Sequence, residues 1–260
     1  MKVFLTVVLV AFLASSWAKG PELTNKQLLN PPPRIIRTCC SFGADMGIAI
    51  IPFAKKTDIT TVGELGQHKY LGDKSEKNGI IYTRRGGFLD LGHLRDCGDW
   101  TAYIYQLILA SKNNRELVIT NLGNEGGNKT LVLRVPENIS SGEACELAGK
   151  IAYDLSLWHE ISTWFGASWV PLVPERFSAF SPEDIYSNLL GVHLSQKAIQ
   201  SDMEYEEAMS VYLEEMLQTL ECVATMEEDN NWCIHKEPGE KLQLQSWVSR
   251  SGPPGAALMC

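Results

Sequence analysis

Apolar residues recur at the α-helical period in four long stretches of the chain, and this periodicity predicts four amphipathic helices. The helices are expected over residues 89–111, 140–165, 182–199 and 205–226. An amphipathic helix buries its apolar stripe against other elements. The pattern therefore predicts a core built mainly from helices.

Two of the predicted helices have clear start signals. Ser140 and Glu143 have the spacing of a capping box, in which each side chain accepts a hydrogen bond from the other residue's backbone N–H. Ser181 is a favourable N-cap, and Pro182 suits the first helical position because that position needs no N–H donor. Gly166 is expected to end the helix that starts after Ser140.

Short apolar and β-branched runs predict strands between the helices. "GIIYTRR" at residues 79–85 is expected to form a strand, which ends at the glycine pair that leads into the first long helix. "ELVITN" at 116–121 and "TLVLRV" at 130–135 flank a glycine-rich segment, as in an antiparallel hairpin. "GIAIIPF" at 47–53 fits a short strand or buried turn, and "KLQLQSWV" at 241–248 fits a late strand. The predicted fold is α+β and helix-dominated, with several long amphipathic helices and a small antiparallel sheet.

The first 18 residues have the pattern of a secretory signal peptide. Lys2 supplies the positive end, an apolar run follows it, and Ser16 and Ala18 are small residues at a suitable cleavage point. The run is too short to span a membrane comfortably, and no later segment is long and apolar enough. We therefore expect an exported protein, periplasmic or secreted, with no transmembrane segment in the mature chain.

The chain is expected to contain a single globular domain between flanking segments. The expected boundaries are a signal peptide at 1–18, an irregular N-terminal arm at 19–33, the domain at 34–235 and a C-terminal segment at 236–260. The formal net charge is −8 and no basic patch is concentrated along the chain. Because binding to nucleic acid needs clustered positive charge, nucleic acid is excluded as a partner.

Seven cysteines in an exported chain predict some disulfide bonds and leave at least one cysteine over. Cys222 and Cys233 are the disulfide candidate, since their bond would close a short loop at the end of a helix. No CxxC spacing is present, which argues against a zinc site made of cysteines.

Ionisable residues that suit a metal site occur in two separate stretches. In "DLGHLRD", Asp90, His93 and Asp96 are spaced by three, so a helix would place one imidazole between two carboxylates. In "WHEISTW", His159 and Glu160 match the first half of the HExxH zinc-hydrolase motif. The second histidine of that motif is replaced by threonine, which excludes a standard site of this type.

These residues together suggest one shared centre. We expect His93, His159 and Asp90 to bind a divalent metal such as zinc, with Glu160 and Asp96 as catalytic residues.

Three arginines near the first stretch are candidate substrate-binding residues. Arg84 and Arg85 precede the glycine pair and Arg95 follows it, so any of them is suited to hold an anionic part of a substrate.

Structural interpretations of the same residues remain open. A buried histidine such as His159 is more often a hydrogen-bonded core residue than a ligand. Asp96 and Asp99 both follow Arg95 within four positions, a spacing that is also typical of surface ion pairs. Asp184 is interpreted as a residue of the helix start rather than as a ligand.

The blocks "YTRRGGFLDLGHLRD", "WHEISTWFG" and "FSPEDIYSNLLG" resemble those of a family of exported bacterial proteins that is classed only as a domain of unknown function. The resemblance spans about residues 34–199. It implies a bacterial envelope or periplasmic setting and no particular activity.

Two functions are consistent with these features. The first is a metal-dependent hydrolase that acts on a cell-envelope component or a small-molecule substrate. The second is a non-catalytic envelope protein, binding or structural, in which a buried histidine–carboxylate network fixes the packing of the helices.

Overall fold

The computed structural model describes residues 20–37, 46–47, 55–56, 62–112, 116–123, 127–166 and 181–223. The predicted signal peptide, the predicted strand at 241–248 and most of the segment 47–53 lie outside these residues.

Helices make up most of the described residues, and the predicted helix-dominated α+β fold is confirmed. The helices are α1 Asn25–Leu29, α2 Leu91–Ser111, α3 Ser141–Gly166, α4 Pro182–Ile199 and α5 Tyr205–Thr219, with a 3-10 turn at Val62–Glu64. The strands are β1 Met46–Gly47, β2 Lys55–Lys56, β3 Ile80–Thr83, β4 Gly87–Asp90, β5 Leu117–Thr120 and β6 Thr130–Leu133. They form the antiparallel pairs β1–β2, β3–β4 and β5–β6. Among the described helices, none has the length and apolar character that a membrane crossing needs.

The predicted start signals position α3 and α4. The Ser140 hydroxyl accepts the N–H of Glu143 at 3.2 Å, and the Glu143 carboxylate accepts the N–H of Ser140 at 2.9 Å. The Ser181 hydroxyl accepts the N–H of Asp184 at 3.3 Å, and Pro182 is the first helical residue. Since each cap sets where its helix begins, it also sets which residues of that helix turn toward the core.

The N-terminal arm is less irregular than expected, because it contains the short helix α1. Thr24 and Gln27 form a second capping box that starts this helix. The Tyr103 hydroxyl of α2 donates to the carbonyl of Leu28 at 2.7 Å, which attaches α1 to the core.

The glycine pair after the first predicted strand forms a hairpin turn, so the expectation that the helix follows directly was wrong. Gly87 has a φ of +71°, and the chain returns through β4 antiparallel to β3. Leu89, which the periodicity assigned to the helix, pairs with Ile81. Over only four residues, apolar spacing fits either a strand or a first helical turn. α2 therefore begins at Leu91, immediately after β4.

Helix α5 ends at Thr219, earlier than the predicted end at residue 226. Glu221 has a φ of +57°, and Cys222 forms an antiparallel bridge with Thr83 of β3. Pairing with the β3–β4 hairpin thus replaces the last expected turns of the helix. Cys222 forms no disulfide bond with a described residue, and Cys233 lies outside the described residues, so their disulfide stays a prediction.

Helix α2 lies at the centre of the fold and packs mainly against α3 and α4. All of its residues are buried except Gln106, Leu109 and Ala110. The buried set includes ionisable residues as well as apolar ones, namely His93, Arg95, Asp96 and Asp99. Because an isolated buried charge is very costly, these side chains need partners inside the protein.

Arg37, in the segment before β1, supplies partners for one side of α2. Its guanidinium donates to Glu76 at 2.6 Å, to Asp96 at 3.0 Å and to Asp99 at 2.8 Å. Burial opposes the charged form, but the hydrogen bond to Glu76 and the surrounding carboxylates raise the pKa of Arg37 above its ordinary value. His68 Nε2 lies 3.0 Å from the Asp99 carboxylate. This network fastens two loops to α2.

Helices α2 and α4 approach each other closely at glycines. A Cβ atom on Gly191 of α4 would lie 2.0 Å from the carbonyl oxygen of Leu94 on α2. A Cβ on Gly98 of α2 would lie 3.4 Å from the carbonyl oxygen of Gly191. Glycine at position 191 therefore permits the contact that brings Asp184, about two turns earlier on α4, beside the start of α2.

We expect Gly191→Ala to lower the free energy of unfolding by about 3 kcal/mol, because the added methyl group meets backbone atoms that cannot move independently. Gly142→Ala on α3 is the matched control, since a Cβ there would meet nothing within 4 Å. Its stability should be unchanged or slightly higher. Urea unfolding of the two variants measures the difference, and equal stability would contradict the close packing of α2 on α4.

Candidate metal centre

The junction between β4 and α2 positions Asp90 at the start of α2. The Asp90 carboxylate accepts the N–H of Gly92 at 2.7 Å and the N–H of His93 at 3.1 Å, which makes it the N-cap. The N–H of Asp90 donates to the hydroxyl of Ser187 on α4 at 2.8 Å. This hydrogen bond joins α4 to the same junction.

Asp90, His93 and Asp184 form a buried group that we call the Asp–His cluster. One ligand atom of each residue lies within 4.8 Å of the corresponding atoms of the other two. His93 Nε2 is 3.6 Å from Asp184 Oδ1. That separation is long for a hydrogen bond, but it is close to the roughly 3.4 Å that separates two ligands of a tetrahedral zinc ion. The spacing of His93 and Asp184 is therefore compatible with two ligands of one ion.

The Asp–His cluster concentrates negative charge away from water. Asp90 is 0% exposed and Asp184 is 6% exposed. Burial raises the pKa of the Asp184 carboxyl to about 7. The charge of His93 opposes this shift, while the charges of Asp90 and Glu160 add to it. A bound cation would relieve this repulsion, because it favours the ionised form of each carboxyl group.

Helix α3 brings His159 and Glu160 to the Asp–His cluster. The ring centres of His93 and His159 are 6.3 Å apart, and each residue is 9% exposed. Glu160 is 3% exposed and close enough for its charge to raise the pKa of Asp184. The two histidines, which are far apart in the sequence, thus lie side by side in the fold.

A small cavity of about 10 Å³ adjoins these histidines. Its lining residues come from the N-terminal segment and from α2, α3 and α4, namely Arg34, Ile35, His93, Asp96, His159 and Asn188. A volume of this size holds about one water molecule. The cavity is therefore large enough for a single oxygen atom beside the two imidazoles.

Asp96 lines this cavity while its carboxylate is held from the other side. It accepts the N–H of Ile36 at 2.9 Å, the N–H of Arg37 at 3.2 Å and the Arg37 guanidinium at 3.0 Å. Burial raises the pKa of Asp96 to about 6, and these partners oppose the shift. The alternative of surface ion pairs with Arg95 is wrong, because Asp96 and Asp99 are buried and pair with Arg37.

The three predicted substrate-binding arginines do not join the Asp–His cluster. Arg84 and Arg85 occupy the turn of the β3–β4 hairpin, at the opposite end of β4 from Asp90. The Arg85 side chain is 63% exposed and lies 3.9 Å from Glu221. Arg95 is fully buried and donates to backbone carbonyls of the loop before β3.

Asp184 is a member of the Asp–His cluster that the sequence pattern did not single out as a ligand. It does lie in the first turn of α4, as expected, but it is also a member of the Asp–His cluster. A signal was present in the spacing, because Asp184, Ser187, Asn188 and Gly191 recur at helical intervals and are all buried. A face made of polar and small residues contributes nothing to a hydrophobic pattern, so this stripe was missed.

The fold and this centre define a class: a helix-dominated α+β protein with a buried carboxylate–histidine cluster at the start of its central helix. Residues 27–236 match the model of a family described as "Protein of unknown function (DUF4056)". The chain belongs to this family, and the expected membership in a family of unknown function is confirmed. No curated protein and no solved structure matches the chain.

We expect Asp184→Asn to change how the stability of the metal-free protein depends on pH. The folded protein keeps the Asp184 proton up to about pH 7, whereas the unfolded chain releases it near about pH 4. Between these values the folded state binds the extra proton, so the stability from this group falls as the pH rises. Asparagine cannot ionise and avoids this loss, which we expect to be about 4 kcal/mol at pH 8.

Urea unfolding of the metal-free protein at pH 5 and pH 8 measures this effect. Asp154→Asn is the control, because Asp154 is an exposed residue of α3. If the stability of wild type and of Asp184→Asn changed with pH in the same way, the raised pKa of Asp184 would be contradicted.

Proposed function

We propose that this protein is an exported metal-dependent hydrolase that binds one divalent ion, zinc, at Asp90, His93 and Asp184. The observation that carries the proposal is the buried Asp–His cluster, in which three ligand atoms from two parts of the chain lie within 4.8 Å of one another. Mixed histidine and carboxylate ligands are typical of zinc and of related divalent ions.

His159 is proposed as a further ligand. Two imidazoles that bind one tetrahedral zinc ion have ring centres about 5 Å apart, given bonds of about 2.1 Å. The ring centres of His93 and His159 are 6.3 Å apart. A rotation of one side chain would therefore be sufficient to bring both imidazoles to one ion.

A catalytic zinc site needs a position for water or substrate, and a zinc ion with four protein ligands would have to become five-coordinate to offer one. A zinc ion bound there would supply Lewis-acid chemistry and lower the pKa of bound water. In this proposal Glu160 accepts the proton of the attacking water, since its carboxylate is buried next to the Asp–His cluster. Asp96 has a positioning role, because Ile36 and Arg37 hold its carboxylate against the cavity wall.

The proposed setting is the cell envelope. Its support is the signal-peptide pattern at residues 1–18 and the likeness of the three sequence blocks to exported bacterial proteins. A cell-wall component is the proposed substrate.

One feature favours a second candidate function, a non-catalytic envelope protein. The cavity beside His93 and His159 has a volume of only about 10 Å³, and Asp90 is fully buried. In this case the Asp–His cluster, with His159 and Glu160, would serve only to fix how α2, α3 and α4 pack. Metal binding distinguishes the two candidates.

We expect the wild-type protein to bind one zinc ion per chain, measured by elemental analysis and by calorimetric titration. His93→Ala and Asp184→Asn should each weaken zinc binding by more than about a hundredfold, because each removes a ligand rather than a supporting residue. His193→Ala is the matched control, since His193 is exposed on the same helix as Asp184.

The control should keep the affinity of the wild type. A folded wild-type protein that gains no zinc on titration would contradict the metal site and favour the non-catalytic candidate.

Hydrolysis is tested separately from metal binding with Glu160→Gln. We expect zinc-loaded wild-type protein to release soluble fragments from purified bacterial cell wall, and the variant to do so at least about a hundredfold more slowly, as expected for loss of a general base. The variant should keep its zinc. Glu146→Gln, at an exposed position of the same helix, should retain the rate. Equal rates for Glu160→Gln and wild type would exclude Glu160 as the proton acceptor.

A further inference from the structure

Arg34 is a buried arginine without an ion-pair partner among the residues that the structure describes. It is only 9% exposed, and no carboxylate of the described residues lies within 4.0 Å of its guanidinium. Its Nε atom is sealed from water and makes no hydrogen bond. Arginine remains charged at any physiological pH, so it cannot avoid this cost by losing a proton.

Arg34 differs from Arg37, three positions further on, in having no carboxylate partner among the described residues. Both side chains are buried, but Arg37 is paired with Glu76, Asp96 and Asp99. Burying a cation is costly unless an anion accompanies it. The structure therefore provides the anions for one arginine and leaves the other with an unused donor.

The location of Arg34 indicates where such an anion would bind. Arg34 lines the small cavity that His93 and His159 also line. Asp96 shares the cavity wall, where its carboxylate accepts hydrogen bonds from Arg37 and from the N–H of Ile36. Asn188 adds a neutral amide side chain to the lining. The cavity thus has one guanidinium with an unused donor, next to the proposed zinc ligands, and space for about one oxygen atom.

We propose that Arg34 binds one oxygen of an oxyanion, so that the substrate of the proposed metal centre is a carboxylate or a phosphate ester. Guanidinium groups recognise both anions through charge-assisted hydrogen bonds. The inference rests on the proposed function for its location, since the anion would lie beside the zinc ligands. It replaces Arg84, Arg85 and Arg95 as the residue for the anionic part of the substrate.

Titration of the metal-free protein with inorganic phosphate and with acetate tests this inference without relying on zinc or on activity. We expect wild type to bind at least one of the two anions, and the stronger of the two identifies the chemistry of the substrate. Arg34→Met should weaken that binding at least about tenfold, the loss expected for one charge-assisted hydrogen bond. Arg34→Lys should retain part of the affinity, because it keeps the charge.

Arg85→Met is the matched control, since Arg85 is exposed in the hairpin turn and should not contribute. Arg34→Met removes a buried charge that has no ion-pair partner among the described residues, so we expect the melting temperature to stay unchanged or to rise. If Arg34 had only a structural role, the same substitution would lower the melting temperature. Zinc content is measured on the same samples, and Arg34→Met should keep the zinc of the wild type.

The outcomes separate this inference from the proposed function. If wild type binds no zinc but shows phosphate or acetate binding that depends on Arg34, the anion site holds and the metal centre fails. If wild type binds neither anion, or Arg34→Met binds them as well as wild type does, the inference is overturned whatever the zinc content. Loss of zinc together with anion binding in Arg34→Met would also overturn it, because Arg34 would then support the Asp–His cluster itself.

Discussion

The constraint on which this structure depends is that its central helix carries charged side chains through the core. Helix α2 is almost entirely buried, yet it begins at the Asp90 cap and contains His93, Arg95, Asp96 and Asp99. A buried charge without a partner destabilises the fold. The elements around α2 are therefore arranged as sources of compensating charge and hydrogen bonds as well as of apolar contacts.

Two parts of α2 differ in how completely their buried charges are paired with other groups of the protein. Around Asp96 and Asp99, Arg37 and neighbouring N–H groups provide a partner for each carboxylate. Around Asp90 and Asp184, by contrast, acidic groups and imidazoles converge, and the pKa of Asp184 is raised to about 7. A bound cation would stabilise such an arrangement. This difference is the physical basis for assigning chemistry to one end of α2 and packing to the other.

Sequence patterns singled out some residues of the candidate centre and not others, for identifiable reasons. His93 and His159 were singled out from local context, and the fold does bring them together. Asp184 was assigned to a helix start because its neighbours form a clear cap, and capping is a local property. Its second role depends on how closely α4 approaches α2 at Gly191, which no local pattern reveals. Arg34 has no motif around it, and only its burial without an anion makes it conspicuous.

The amino-acid sequence by itself determined the helical content, the capped starts of α3 and α4 and the β5–β6 hairpin. These features follow from hydrophobic period, capping side chains and glycine-rich turns, all of which act between residues close in the chain. The tertiary structure alone decided the ends of α2 and α5 near the β3–β4 hairpin, the partners of each buried charge and the membership of the Asp–His cluster. These features depend on contacts between residues far apart in the chain. The distance between such residues and their burial set the free energy of each contact, and local spacing in the sequence gives neither the distance nor the burial.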